Sequence, residues 1–487
     1  MNTELIKKKI LDLAIRGKLV DQRPEEGTAE ELYAQIQEEK RKLIAEVKIK
    51  KEKPLPEISE DEIPFDIPAS WKWVRLNDGM IINPSVIADD EQETSFIPMA
   101  DVESGYSSII NLKEKRIWKT VKKNFSRFEN GYVLIAKITP CFQNRKSAIA
   151  ENLVNGVGAG TTEFNVIRTN NNLLLNKFVL YFAKSEYFIN YGQEHFTGTV
   201  GQQRFSGNAF YEMLFPLPPL SEQKRIVAKI EEIFSRIDVI EKAKADLAKD
   251  GNLLEKKILD LAIRGKLVEQ RPEEGSAEEL YAQIQEEKKK LIAEGKIKKE
   301  KPLPEIKDEE IPFDIPKSWK WVKLGNISES NIGLTYSPSD ISEIGIPVMR
   351  SCNIQNNRLD FNNDLVRVNI KNIPEKNLLK ENDILICARN GSRALVGKNA
   401  IIPKLSEPCA FGAFMAMVRT PFSKYVKIFL DSGSFRSVLD SVNTTTINQI
   451  TQKNLLNIVI PLPPLSEQKR IVAKIEELLP YCYKLKE

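Results

Sequence analysis

The segment PLPPLSEQKRIVAKIEE occupies residues 216–232, and the same seventeen letters return at 461–477. A second repeat aligns residues 10–76 with 258–324 at a constant offset of 248, with nine differences. Such self-similarity is the signature of one structural unit that has been used more than once. The sequence therefore predicts two copies of one conserved region.

The chain ends correspond to positions in the middle of the chain. Met1 matches Lys249 at the offset of 248, and Glu487 matches Lys242 at an offset of 245. Joined head to tail, the two ends would rebuild a second copy of the central conserved region. We interpret the chain as a circularly permuted tandem repeat whose termini lie close together. Two variable blocks, 77–214 and 325–459, separate the conserved pieces and share only scattered similarity.

The conserved region after the Pro-rich stretch predicts a long helix. Ser221 is expected to be its N-cap. Apolar residues follow in steps of three and four, which is the heptad pattern of a coiled coil. The predicted seam of this helical spacer consists of Ile226, Ile230, Ile233, Ile237, Ile240, Leu247, Leu254, Ile258 and Leu261, with Ile471, Ile475 and Leu478 in the other copy.

The partner of this helix is expected to be its own repeat, in an antiparallel coiled coil. Ile6, Ile10 and Leu13 continue the same seam in the N-terminal segment. An isolated amphipathic helix on a globular core is the alternative. The preserved phase favours one helix through Gly251, although Asp-Gly-Asn could instead end it there.

A second helix is predicted at about 276–294, followed by an extended, proline-rich connector. Trp71 and Trp73, matched by Trp319 and Trp321, are expected to be packing anchors where each connector meets its variable block. Short strands are predicted at 132–138, 163–169, 383–389 and 412–420. The expected fold class is α+β, with two α/β domains separated and joined by long antiparallel conserved helices in a pseudo-two-fold arrangement.

Composition argues against several classes of protein. The net charge is only +4, so any nucleic-acid site must be local. The five cysteines contain no C-x-x-C, which fits a reducing cytoplasm, and no segment has the pattern of a signal peptide or membrane span. The only histidine is His195, and GSRALVGKN at 391–399 departs from a phosphate-binding loop. We expect no catalytic residue, metal or cofactor in this chain.

Two turn regions in each block gather residues suited to DNA. Gln and Asn can pair with adenine and Arg or Lys with guanine, while hydroxyls and backbone amides can hold phosphates. Polar loops without a ligand are the alternative. The candidate DNA-binding residues are Lys137, Thr139, Gln143, Asn144, Arg145, Lys146, Thr197, Thr199, Gln202, Gln203, Arg204, Arg389, Asn390, Ser392, Arg393, Lys398, Thr444, Thr445, Thr446, Asn448 and Gln449.

The two PLPPLSEQKRIVAKIE segments, the LDLAIRGKLVxQRPEEG blocks and the IPFDIPxSWKWVxL blocks closely resemble the specificity (S) subunits of Type I restriction-modification systems. The resemblance covers the whole chain and implies that the variable blocks are target recognition domains. The implied domains are 1–50 (N-terminal half of the distal helical region), 51–215 (recognition domain 1 with its connector), 216–298 (central helical region), 299–460 (recognition domain 2 with its connector) and 461–487 (C-terminal half of the distal region).

The resemblance also implies a division of labour. Each recognition domain would read one half of a bipartite double-stranded DNA target, while the helices set the spacing and dock two methyltransferase (M) subunits. S-adenosylmethionine would bind to the M subunits, and ATP and Mg to the restriction (R) subunits. An autonomous DNA-modifying enzyme and a pure coiled-coil scaffold are the alternatives, and no membrane is implied.

Overall fold

The computed structural model describes residues 2–50, 54–199, 201–295, 301–371, 373–442 and 448–486. The chain divides into two compact units, Met1–Lys242 and Ala243–Glu487. The predicted meeting of the termini concerns Met1 and Glu487, which lie outside the described residues, and it stays a prediction.

The helices are α1 (Thr3–Ile15), α2 (Ala29–Ala45), α3 (Leu76–Gly79), α4 (Trp118–Val121), α5 (Asn176–Ala183), α6 (Glu186–Glu194), α7 (Gly207–Glu212), α8 (Leu220–Ile263), α9 (Ala277–Ala293), α10 (Leu324–Ile327), α11 (Ser423–Asp431), α12 (Gly433–Val442), α13 (Gln452–Leu456) and α14 (Leu465–Lys484).

The strands of the first unit are β1 (Lys72–Arg75), β2 (Ile81–Ile82), β3 (Glu93–Ile97), β4 (Glu114–Ile117), β5 (Ser126–Glu129), β6 (Val133–Ala136), β7 (Ser147–Ile149), β8 (Val157–Gly160), β9 (Phe164–Arg168), β10 (Phe196–Thr197), β11 (Arg204–Phe205) and β12 (Leu214–Leu217). Those of the second are β13 (Lys320–Lys323), β14 (Glu329–Ile332), β15 (Ile341–Met349), β16 (Ile354–Gln355), β17 (Arg358–Leu359), β18 (Val366–Val368), β19 (Ile384–Cys387), β20 (Asn399–Ile401), β21 (Ala410–Phe411), β22 (Met415–Arg419) and β23 (Val459–Leu462).

Both variable blocks fold around the same kind of antiparallel sheet. The first block orders its strands β2-β9-β6-β7 and packs a second sheet, β4-β3-β8-β5, over a separate apolar core. The second block has the corresponding order β14-β22-β19-β20 and a smaller sheet, β18-β15-β21. Each block is closed by an incoming and an outgoing strand that pair antiparallel, β1 with β12 and β13 with β23. The four strands predicted from the sequence are confirmed as β6, β9, β19 and β22.

The long helix α8 is continuous for 44 residues, so the predicted passage through Gly251 is confirmed. It begins at Leu220, and the prediction of Ser221 as its N-cap is therefore wrong. Proline fixes its own φ near the helical value, so the Pro-Pro step can start the helix two residues earlier. The backbone N–H of Gln223 donates to the Pro219 carbonyl, at 3.0 Å.

Antiparallel helix pairs occur within each unit. In the first, Lys7 of α1 lies beside Glu241 near one end of the contact, and Gln22 lies beside Glu222 near the other. In the second, α14 runs against the later part of α8, where Lys486 bonds Glu255. The predicted antiparallel pairing is thus confirmed inside each unit.

The apolar seam is buried where a helix of the same unit lies alongside. Its buried members are Ile226, Ile230, Ile237, Ile258, Ile471 and Ile475, whereas Ile233, Leu261 and Leu478 are half-buried. Ile240, Leu247 and Leu254 are 39%, 49% and 44% exposed, so the expectation of an uninterrupted seam is wrong there. A heptad pattern shows which face of a helix is apolar. Burial of that face also requires a second helix that packs beside it at the same point along the helix axis.

A buried carboxylate joins each variable block to its helices. Glu222, only 1% exposed, accepts from Trp71 Nε1 at 2.9 Å and from Gln22 Nε2 at 2.5 Å. In the second unit Glu467 accepts from Trp319 and Gln270 at the same distances. Trp71 and Trp319 are therefore packing anchors, as the sequence predicts.

Trp73 and Trp321 are also held by packing. Each is half-buried in its incoming strand. Their rings make edge-on contacts, 5.0 Å between centroids, with Phe65 and Phe313. These contacts explain why the second tryptophan is repeated as well.

A fully buried lysine fixes the loops of the first block. Lys184 Nζ donates to the carbonyls of Gly105, Ser107 and Arg145 at 3.0, 2.7 and 3.0 Å. Burial, together with the nearby Arg145 guanidinium, lowers the pKa of Lys184 to about 7. Three carbonyl acceptors match the three donors of an ammonium group, so Lys184 joins the 105–107 segment to the loop at Arg145.

Substitution of Gly251 by valine should destabilise the second unit. A Cβ at this position would lie 2.9 Å from the Cys482 carbonyl oxygen and 3.1 Å from Leu485 Cβ, so α14 would have to shift. We expect a loss of about 1–3 kcal/mol in the free energy of unfolding. The exposed neighbour provides the control, because Asn252→Val adds the same side chain without a clash. Equal thermal unfolding of the two variants would contradict this packing.

Substitution of Lys184 by methionine should change the pH dependence of stability. Between pH 7 and the ordinary lysine pKa of 10.5, the unfolded chain binds one more proton than the folded chain, so the free energy of unfolding rises with pH. This contribution is at most about 1.4 kcal/mol per pH unit. Lys184→Met should remove that slope, as measured by urea unfolding from pH 7 to 9. The exposed Lys177→Met should keep it, and equal slopes in all three proteins would refute the assignment.

Candidate DNA interface

The two candidate loops of the first block form one surface. The backbone N–H of Thr139 donates to the Gln203 carbonyl at 2.9 Å, and the Phe205 N–H donates to the Lys137 carbonyl at 2.8 Å. Thr139 Oγ1 also accepts from the Gln203 N–H at 3.1 Å. Segments about sixty residues apart in sequence are therefore fixed side by side.

The candidate loops of the second block are joined in the same way. Arg389 and Gln449 form an antiparallel bridge, and the Asn390 N–H donates to the Asn448 carbonyl at 3.2 Å. Asn448 Nδ2 returns a hydrogen bond to the Gly391 carbonyl at 3.0 Å. Thr444, Thr445 and Thr446 lie outside the described residues.

The remaining candidates differ in how far they reach into solvent. Asn144, Thr197, Thr199, Gln202, Arg389, Ser392 and Arg393 are exposed. Half-buried are Lys137, Thr139, Gln143, Arg145, Lys146, Gln203, Arg204, Asn390, Lys398, Asn448 and Gln449. Each block thus presents exposed polar side chains over a layer of half-buried ones.

Three candidate arginines are held by carboxylates. Arg145 is paired with Glu186, and its Nε donates to the Lys184 carbonyl at 3.0 Å. The Arg204 guanidinium donates bidentate hydrogen bonds of 2.8–3.1 Å to the Glu163 carboxylate. Arg393 bonds Asp440 at 3.0 Å. These ion pairs orient the loops, and they reduce the net positive charge that the loops present.

Three further candidates, Lys146, Lys137 and Gln143, differ in their surroundings. Lys146 Nζ donates to the Met99 carbonyl at 3.0 Å, which ties its loop to the end of β3. Lys137 lines a shallow cleft of about 260 Å³ together with Asn83 and Arg127. The buried Oε1 atom of Gln143 has no hydrogen-bond partner among the described residues.

Arg389 differs from the paired arginines. Its guanidinium carbon lies 5.2 Å from the ring centroid of Phe414, which is 59% exposed. An aromatic ring attracts the face of a guanidinium group and accepts none of the N–H groups that lie in the guanidinium plane. Those N–H groups therefore stay available to donate hydrogen bonds to another molecule. Sequence reasoning did not select Phe414, because the whole of GAFMAMVRT (412–420) was assigned to a strand. In the structure β22 begins at Met415, so Phe414 lies just before the strand.

The single histidine has a local structural role. The ring of His195 stacks on Tyr191 at 4.2 Å between centroids, and its Nδ1 lies 2.8 Å from the Tyr191 carbonyl oxygen. Over the described ranges, no group of three or more His, Cys, Asp or Glu is placed to hold a metal ion. The helices of the described part of the chain are also too short or too polar to cross a membrane.

Comparison with known proteins identifies the family. A family model described as "Type I restriction modification DNA specificity domain" matches residues 68–249 and 316–487. The EcoAI specificity subunit of Escherichia coli is 37% identical, covering 98% of this chain and 89% of the relative. The EcoEI specificity subunit of the same species is 32% identical over the same shares.

Solved structures show the same fold. A chain from a study of complex assembly and conformational transition in a type I R-M system has a TM-score of 0.65 at 22% identity. The HsdS subunit of Thermoanaerobacter tengcongensis has a TM-score of 0.52, also at 22% identity. Both matches cover 87% of this chain and 93% of the other. With two matched specificity domains and near-complete coverage of its relatives, the chain belongs to the family of Type I restriction-modification specificity subunits.

Proposed function

We propose that each recognition block reads one half of an asymmetric, bipartite double-stranded DNA target. The observation that supports this proposal is the joining of two polar loops into one surface in each block, at Ile138–Arg204 and at Arg389–Gln449. Because the loop residues of the two blocks differ, the two half-sites should differ. The repeated helices set the number of base pairs between the half-sites.

The chemistry resides in partner subunits. Two M subunits carry S-adenosylmethionine and methylate adenine, and R subunits use ATP and Mg, all acting with this chain in the cytoplasm. Support for two equivalent docking surfaces comes from duplicated contacts: Arg225 bonds Glu26 at 2.6 Å, and Arg470 bonds Glu274 at the same distance. Equal surfaces should bind equal partners, which favours an M₂S core.

Within the second block, Arg389 is the proposed reader of a base edge. Its exposed guanidinium can pair bidentately with guanine, whereas Arg393 is already bonded to Asp440 and serves to position the loop. Phe414 beneath Arg389 limits the rotation of the long side chain, so less conformational freedom is lost on binding.

Substitution of Arg389 should separate base reading from phosphate contact. Arg389→Ala should weaken binding of the M₂S complex to its methylation site by about 10-fold to 100-fold, the range for loss of one bidentate contact. Arg389→Lys keeps the charge and should behave like Arg389→Ala if a base is read. The measurement is a DNA titration at several salt concentrations.

The controls distinguish the possible roles. Arg393→Ala should cost less, since the native charge is compensated by Asp440. If Arg389→Lys binds like the unmodified protein while Arg389→Ala lowers the salt dependence by about one ion, then Arg389 holds a phosphate and the base-reading assignment is wrong. Unchanged binding by all variants would remove Arg389 from the interface.

Exchange of one block should change one half of the methylated sequence. The exchanged segment should be 76–213, because Arg75 pairs with Leu214 and this ladder must remain intact. Mapping N6-methyladenine across a genome that carries the M partner should show one altered half-site and an unaltered spacing. Exchange of 324–458, which preserves the Lys323–Val459 pair, is the matched control and should alter the other half. If a single exchange changed both halves of the methylated sequence, the two blocks would not read DNA independently. If neither exchange changed the methylated sequence, the chain would be a scaffold and not a reader of DNA.

A further inference from the structure

Each helix pair contains an ion pair at the same repeat position, and the signs of the two charges are opposite in the two units. By the offset of 248, Lys7 corresponds to Glu255, and by the offset of 245, Glu241 corresponds to Lys486. In the first unit the cation is on α1 and the anion on α8. In the second unit the anion is on α8 and the cation follows α14.

In the first unit this cation is deeply placed. Lys7 Nζ lies 3.0 Å from Asp238 Oδ1 and 3.3 Å from Glu241 Oε2, and only 9% of the lysine side chain is exposed. Burial opposes the charge, but the hydrogen bonds from Lys7 to the two carboxylates more than offset it, so the pKa of Lys7 is raised above its ordinary value. The contact is therefore an ammonium group against two carboxylates.

In the second unit every charge at this place is altered. Glu255 bonds Lys486, and their side chains are 18% and 26% exposed. Tyr483 replaces Asp238, and its ring centroid lies 5.3 Å from Lys486 Nζ. A tyrosine can face an ammonium group without adding a negative charge toward Glu255.

Several other contacts of the two helix pairs are duplicated. Ile226 and Ile230 of the first seam correspond to Ile471 and Ile475 of the second, and all four are buried. The Glu222 and Glu467 sites use the same partners at the same distances. Such contacts fit a correct or an exchanged helix partner equally well, so they give no preference between them.

Exchange between two copies is therefore a real competitor. In an exchanged dimer, the α8 helices of two copies would pair with each other, and an N-terminal helix would pair with a C-terminal one. Domain exchange of this kind is a general hazard for chains with identical, separable elements. The duplicated apolar contacts would permit it here, although Thr3, the counterpart of Gly251, would then face Cys482 and Leu485.

We propose that the reversed polarity makes each helix select its partner in its own unit and disfavours exchange with a second copy of this chain. In the exchanged arrangement, Lys7 would face Lys486, and Glu255 would face Asp238 and Glu241. Like charges brought together at these positions repel, as do mismatched charges along coiled coils. Such partner selection affects assembly of the chain and does not depend on which DNA is read.

The test makes the two polarities equal without breaking either native pair. One variant gives the second unit the charges of the first: Glu255→Lys, Tyr483→Asp and Lys486→Glu. A second variant makes the converse changes in the first unit: Lys7→Glu, Asp238→Tyr and Glu241→Lys. Each full-length protein is unfolded in urea and refolded at one fixed concentration. The dimer-to-monomer ratio is then measured by size exclusion with light scattering.

Both variants should give a ratio on the order of tenfold above that of the unmodified chain, because the repulsive contacts of the exchanged dimer become attractive. Combining all six substitutions restores opposite polarity, so that protein should return to within about twofold of the unmodified ratio. High salt should reduce the differences. Unchanged ratios in both three-residue variants would overturn the proposal. So would a six-residue variant that dimerises as much as they do.

Discussion

The buried carboxylate of Glu222, repeated at Glu467, is the contact on which each unit depends. It lies in the first turn of a helix and accepts hydrogen bonds from an indole and an amide of different segments. Burial raises the pKa of Glu222, although the hydrogen bonds from Trp71 and Gln22 oppose that rise. A carboxylate removed from water needs those donors, so the helix, the loop after α1 and the incoming strand can settle only together. The repeated segment at 216–232 is therefore a junction as well as a helix.

The duplicated scaffold was largely predictable because its signals are local and periodic. Heptad steps indicated the long helix and its antiparallel partner, and short apolar runs between Gly, Asn and Pro turns indicated β6, β9, β19 and β22. The start of α8 was misplaced by two residues, since Pro219 takes the capping position that was predicted for Ser221. The exposed Leu247 could not be foreseen, because a seam residue is buried only where another helix reaches it.

The recognition surface was less predictable for a different reason. Residue types indicated which loops are polar, but they could not show which charged side chains form ion pairs within the protein. Arg204 is paired with Glu163, and Arg145 with Glu186, each carboxylate about forty residues away in sequence. A side chain that sequence alone marks as a reader can thus be a support, and only folding decides between the two. Arg389 remained a candidate reader because its neighbour is an aromatic ring instead of a carboxylate.

Separation of the conserved scaffold from the divergent blocks follows from a short ladder. In the first unit Trp73 lies opposite Pro216, and in the second Trp321 lies opposite Pro461. Proline has no N–H to donate to a neighbouring strand. It is therefore tolerated only at a position where no further strand pairs with that edge. The ladder therefore stays two strands wide and does not extend the sheets of the block into the helices. Apart from this ladder and the few block residues that contact the helical junction, such as Leu175 and Phe178, the residues of the block can change with the DNA sequence while that junction keeps its geometry.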